Sequence, residues 1–199
     1  MAEKRLSLTY RFMRKIGLNY SEEEYGQVTP WRVLGRIYRL YRNGFIMKFF
    51  WNSWLLSPLE PRKLRPWVLR KIGCHVGKNV FVGDNVRIDG GHADLIYIED
   101  HAHIAGGTRL LCHQRDLSDY CIGDDYAKLG YLLKPIHLKK GCLVGMESFV
   151  MPGVTIGEGA IVGAGSLVTK DVPAWTIATG RPAKVVKQIP ERKPSEEQQ

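Results

Sequence analysis

Three residues after Leu110 the chain carries His113, in the stretch 109-RLLCHQRDLSDY-120. A neutral imidazole, with an ordinary pKa near 6.5, can take a proton from a hydroxyl and later return it to a leaving group. Cys112 stands beside it. A thiol is a nucleophile only as thiolate, and nothing nearby marks Cys112 as activated, so it reads as inert. Aspartates are available to hold a substrate: Asp94 in the irregular stretch 89–97, and Asp116 and Asp119 beyond His113. Each is equally suited to a turn.

The elements that must position these residues follow a six-residue rhythm. From Val76 the chain reads VGKNVF, VGDNVR, IDGGHA; from Ile98, IEDHAH, IAGGTR; and from Leu138, LKKGCL, VGMESF, VMPGVT, IGEGAI, VGAGSL, VTKDVP. Aliphatic residues recur at 76, 82, 88, at 98, 104, 110, and at 138 through 168. Gly follows at 77, 83, 145, 157 and 163, and a small or β-branched residue sits four places on, as at Val80, Val86, Ala102, Thr108, Val154 and Ala160. Neither period 3.6 nor period 2 fits. One short strand plus one turn per unit does, stacked as a parallel β-helix whose aliphatic residues point inward. The glycines are expected to ease the turns. His113 falls where this rhythm stops, and the break to about residue 134 reads as a loop. His75 and His137 each precede a hexad, and His92, His101 and His103 read as turn or outward residues.

This pattern resembles the hexapeptide-repeat acyltransferases. The segment 144-VGMESFVMPGVTIGEGAIVGAGSLVTKDVPAWTIATGRPAKVV-186 carries the resemblance. Its run PGVTIG…IVGAGSLVTKDVP…GRPAK is similar to the maltose/galactoside O-acetyltransferase branch. The resemblance spans about residues 70–187. It implies a mainly β fold, a left-handed parallel β-helix of hexapeptide repeats, with an N-terminal helical segment and an inserted loop.

The resemblance also implies a site. Acetyl-CoA, the acyl donor, would lie along the outside of the prism between two subunits of a homotrimer, with no metal. His113 would be the base. The backbone N–H of Met146 would stabilise charge on the thioester oxygen; the family usually has a small residue there, so Met146 departs from the pattern. Gly163 and Ala164 would meet the pantetheine amides. Thr169 and Lys170 would flank the nucleotide end, and Lys184 and Lys187 would meet its phosphates. The acidic acceptor-binding residue on the family's N-terminal cap has no match, which leaves Asp94 and Asp116 as acceptor candidates. The implied reaction is O-acetylation of a sugar, as in a polysaccharide or lipid-linked glycan precursor. Alternatives on the same fold are antibiotic O-acetylation, amino-sugar N-acetylation, and a zinc-dependent carbonic-anhydrase-like chemistry using His101, His103 and His113, which the VGAGSLVTKD–GRPAK signature disfavours.

Three segments are expected: a basic, aromatic helical lead-in or cap over 1–71, a β-helix domain over 72–179 with a loop at about 112–134, and a C-terminal turn and tail over 180–199. The net charge of +9 is uneven: residues 1–71 hold 15 Lys/Arg against 5 Asp/Glu, whereas the remainder holds 14 against 15. Such asymmetry indicates a polyanionic partner or a solvated helical face. WRVLGRIYRLYRN (31–43) reads as a helix with Val33, Leu34, Ile37, Tyr38 and Tyr41 on one face and Arg32, Arg36 and Arg39 on the other. GFIMKFFWNSWLLSP (44–58) reads as interfacial and is too short to span a bilayer. These features suit the end of a solenoid, a peripheral contact with anionic membrane, or both; no nucleic acid partner is expected. Four cysteines without metal-binding spacing, and a charged start with no apolar signal segment, point to reduced thiols in the cytoplasm.

Overall fold

The computed structural model describes residues 6–18, 22–51 and 62–191. Among the described residues four helices come first: α1 (Leu8–Lys15), α2 (Glu22–Tyr25), α3 (Pro30–Ile46), which runs on as a π-helical turn to Trp51, and α4 (Leu64–Ile72). Short strands then wind into a prism. The first coil holds β1 (His75–Val76), β2 (Phe81–Val82) and β3 (Arg87–Ile88); the second holds β4 (Ile96–Ile98), β5 (His103–Ile104) and β6 (Arg109–Leu110). An arm follows, of β7 (His113–Arg115) and β8 (Tyr131–Leu133). The third coil is β9 (Ile136–Leu138), β10 (Leu143–Val144) and β11 (Phe149–Val150), and the fourth is β12 (Thr155–Ile156), β13 (Ile161–Val162) and β14 (Leu167–Val168). β15 (Thr176–Gly180) begins a fifth coil, and β16 (Ala183–Gln188) folds back on it.

Pairing makes three faces. The first is β1-β4-β9-β12, the second β2-β5-β10-β13-β15 edged by β16, and the third β3-β6-β11-β14. All pairs within a face are parallel except β15–β16. Each inward aliphatic residue stacks on its counterpart one coil on, as Val82 on Ile104 and Val144 on Val162. The small residues four places later are buried too, among them Val80, Ala102, Thr108, Ser148 and Ala160. Large residues alternate with small because each corner of the prism is narrow.

The glycines have a different reason from the one expected. The residue that adopts the left-handed conformation lies three places after the aliphatic, as Asn79, Asn85, His101, Gly107, Glu147 and Gly165. The glycine directly after the aliphatic is required by close approach: a Cβ on Gly145 would stand 2.5 Å from the backbone N of Ala164 on the next coil.

A β-helix must cover its open end, where backbone groups would otherwise go unpaired. α4 does this: Val68, Leu69 and Ile72 join the prism core together with Trp51. Arginines complete the seal. Arg62 donates to the Asn79 carbonyl at 3.1 Å, Arg65 to that of Val82 at 3.0 Å, and Arg70 to that of Val76 at 2.9 Å. Part of the basic charge of the lead-in is therefore spent on capping. Buried Asn43 ties α3 to α4 through a 3.1 Å bond to the Ile72 carbonyl. A separate small core of Tyr10, Met13, Tyr25 and Val28 joins α1 and α2 to Val33. The face of α3 carrying Leu34, Ile37, Tyr38 and Tyr41 is exposed. At the other end, part of the expected tail is β16, a strand on the edge of the second face. Residues 52–58 of the aromatic stretch, and the tail from 192, lie outside the described residues.

Candidate active site

Both interruptions of the repeat fall at one corner, where the chain passes from the third face to the first. On the first coil it is residues 89–95; on the second it is 111–135. The longer one is not wholly irregular. β7 pairs antiparallel with β8, His113 opposite Leu133, so an arm stands off this corner. Lys134 N–H donates to the Cys112 carbonyl at 3.0 Å, which closes the arm's base.

His113 opens the arm with its side chain 41 % exposed, and Nδ1 meets Oδ2 of Asp89, whose side chain is 7 % exposed. Asp89 N–H donates to the Leu110 carbonyl at 3.1 Å, so the carboxylate is fixed one rung below the histidine. A carboxylate on Nδ1 holds the proton there and leaves Nε2 as acceptor. The His113 ring also lies edge-on to Tyr131, centroids 5.5 Å apart, and Arg115 stacks over Tyr131 at 4.1 Å. Cys112 is buried, and burial, followed by the Asp89 and Asp94 carboxylates, pushes its thiol up to about 12. Its side chain is thus a core residue with no thiolate to offer.

Asp89 is the main residue that sequence reasoning missed. A signal existed: Asp89 follows Ile88 as Leu111 follows Leu110, and stacking puts the two breaks on one corner. His92, read as an ordinary turn residue, is the other; its ring centroid is 5.6 Å from that of His113. One ligand atom each of Asp89, His92 and His113 lies within 4.8 Å of the others, a donor set able to hold a divalent cation. His101, His103 and His113 are not brought together. His101 is a left-handed residue at the corner between the first and second faces, and His103 stacks on Phe81 at 4.0 Å on the second face.

Asp94 lies on the same interruption as Asp89, in a short 3-10 turn, with an exposed side chain. Asp116 lies on the arm, where Ser118 hydrogen-bonds its carboxyl and holds it below its usual value. That is turn chemistry.

Only part of the donor side occupies a different corner. Met146, Gly163 and Ala164 stack between the second and third faces. Met146 is 59 % exposed, and among the described residues its N–H has no hydrogen-bond partner. Thr169 and Lys170 lie on the His113 corner, two coils on. Lys184 and Lys187 are exposed on β16, opposite Thr179 and Ile177. Within one chain, then, His113 and Met146 sit at separate corners.

Three-faced coils of hexads, broken where a histidine–aspartate pair stands, define a hexapeptide-repeat protein. The profile of the family "Bacterial transferase hexapeptide (six repeats)" matches residues 135–170. "Putative colanic acid biosynthesis acetyltransferase WcaF" of Escherichia coli K12 is 32 % identical over 145 residues, 66 % of this chain and 79 % of that protein. "Putative acetyltransferase SAV2555" of Staphylococcus aureus Mu50 is 41 % identical over 122 residues, 61 % of this chain and 58 % of that protein, so the chain spans little more than half of its length. The crystal structure of a maltose O-acetyltransferase from Clostridium difficile 630 has the same fold, with a TM-score of 0.61 at 23 % identity over 78 % of this chain and 89 % of that one. The chain belongs to the hexapeptide-repeat acetyltransferase family, and its prism is that family's left-handed β-helix.

Proposed function

We propose that the protein is an acetyl-CoA-dependent O-acetyltransferase acting on a sugar hydroxyl, in a polysaccharide or lipid-linked glycan precursor. The observation that carries this reading is the His113–Asp89 pair at the break of the coil, on a chain of the acetyltransferase family. The Escherichia coli relative, named for colanic acid biosynthesis, supports a glycan acceptor.

In the proposed reaction, Nε2 of His113 removes the acceptor hydroxyl proton as the oxygen attacks the thioester carbonyl. Asp89 keeps Nδ1 protonated and stabilises the imidazolium. Met146 N–H receives the developing oxyanion. The C–S bond then breaks, and the imidazolium proton passes to the departing CoA thiolate. Base and oxyanion donor lie at different corners of one prism, which supports a homotrimer in which one subunit's His113 corner faces another's Met146 corner. Gly163 and Ala164 would line the pantetheine; Thr169, Lys170, Lys184 and Lys187 the nucleotide. Asp94, beside Asp89 in the chain, would serve the acceptor. Acetyl-CoA as donor places the reaction in the cytoplasm, and a lipid-linked acceptor would bring the protein to the membrane's inner face.

The test is CoA release from acetyl-CoA with panels of glycans and of amines, for wild type and His113→Ala, beside calorimetric binding of CoA. Retained binding with turnover reduced by about 10²–10⁴-fold is expected. Unchanged turnover would remove His113 from the mechanism, and acetylation of amines alone would replace the hydroxyl reading.

A further inference from the structure

We propose that the outward face of α3, with the π-helical turn that continues it, is a docking surface for anionic lipid headgroups. α3 is apolar on two sides, and only one is used. Toward the prism, Ile46, Met47 and Phe50 pack on the capped end beside buried Asn43 and Trp51. On the opposite side Leu34, Ile37, Tyr38, Tyr41, Phe45 and Phe49 recur at helical spacing, each between 44 and 76 % exposed. The Phe45 and Phe49 rings stand 4.4 Å apart. They line, with Tyr38, Tyr41 and Lys48, a shallow groove of about 560 Å³ that shares no residue with the His113 site. A contiguous stripe of this kind is costly in water and marks a contact surface.

Charge chooses the occupant. From Pro30 to Trp51 the chain has five basic residues and no acidic one. Arg32, Arg39 and Lys48 are exposed, whereas Arg42 is engaged by Asn43 and the Lys71 carbonyl. A second copy meeting this face by two-fold symmetry would oppose like charges. An anionic lipid surface satisfies both features: aromatic side chains enter at the headgroup level while Lys48 and Arg39 extend to the phosphates. The helix lies on the bilayer and does not cross it, because no helix among the described residues is long and apolar enough. This surface is independent of the acetyl-transfer reading and would present the His113 site to acceptors held at the membrane.

The experiment is co-sedimentation of the full chain with vesicles of phosphatidylcholine containing phosphatidylglycerol, and with phosphatidylcholine alone. Binding to the anionic vesicles only, falling as salt rises, is expected. Tyr41→Ser/Phe45→Ser should lower that binding by at least about tenfold, and Arg39→Glu by about tenfold. Both variants should keep the wild-type circular dichroism, particle mass and CoA release with a soluble acceptor. Absence of vesicle binding, equal binding to neutral vesicles, or variants that bind as wild type would each overturn the proposal. A changed particle mass in Tyr41→Ser/Phe45→Ser would overturn it in favour of a second copy of the chain. Loss of CoA release in wild type would sink the acetyl-transfer reading and leave the vesicle result standing.

Discussion

The Asp89 carboxylate meets Nδ1 of His113 across one rung of the prism, although 24 residues separate them in the chain. The rung spacing is what sets this distance. Asp89 hangs from the Leu110 carbonyl, and His113 follows Leu110 by three residues. Asp89→Asn keeps the shape and removes the charge that orients the ring. It is expected to lower kcat by at least about tenfold with little change in KM for acetyl-CoA. A wild-type pH–rate profile in the variant would reduce Asp89 to a structural role.

The separation of His113 from Met146 makes a prediction about assembly. If the base of one subunit serves the oxyanion donor of the next, two inactive chains can complement each other. Met146→Pro removes the N–H without touching His113. Co-refolded His113→Ala and Met146→Pro chains should recover part of the wild-type CoA release, where each alone shows almost none. No recovery from a properly folded mixed oligomer would place the whole site within one chain.

Three thiols are core residues. Burial pushes Cys74, Cys112 and Cys142 each up to about 12, whereas Cys121 is exposed on the arm. A raised pKa means less thiolate at any working pH, and thiolate is the reactive form. At mildly alkaline pH a chromogenic disulfide reagent should titrate Cys121 alone in the native protein, and all four thiols after denaturation. Cys112→Ser should retain turnover; its loss would make Cys112 an acyl carrier.

Glu99 joins the second coil to the third, accepting from Lys139 Nζ at 2.8 Å and Lys140 N–H at 3.0 Å. The Lys139 bond foremost holds its carboxyl below the usual value. A depressed folded-state pKa stabilises the fold above the unfolded carboxyl's value, about 4.3, and the gain fades as pH falls through the folded value. The pair is well exposed, so Glu99→Gln should cost under about 1 kcal/mol at neutral pH. Urea melts of the two proteins should converge in acid; a constant gap would assign the loss to packing.

The six-residue rhythm was enough, without any structure, to define the stacking axis, the inward residues and the place where the coil breaks at His113. Those features are local and periodic: a buried Val144 repeats a buried Val82 because each unit solves the same packing problem. The glycines show the first limit. Gly145 stands where it does because the next coil passes within 2.5 Å of where its Cβ would be, a contact with Ala164 that no single hexad contains. The tertiary structure alone decided which break lies over which, and so brought Asp89 and His92 to His113 and left His101 and His103 on other edges. It also decided that the apolar face of α3 stays in water while α4 seals the prism. Helical periodicity shows that a face is apolar, but what covers that face depends on which elements remain to meet it. Once α4 closes the prism, none of the described elements is left for the stripe from Leu34 to Phe49.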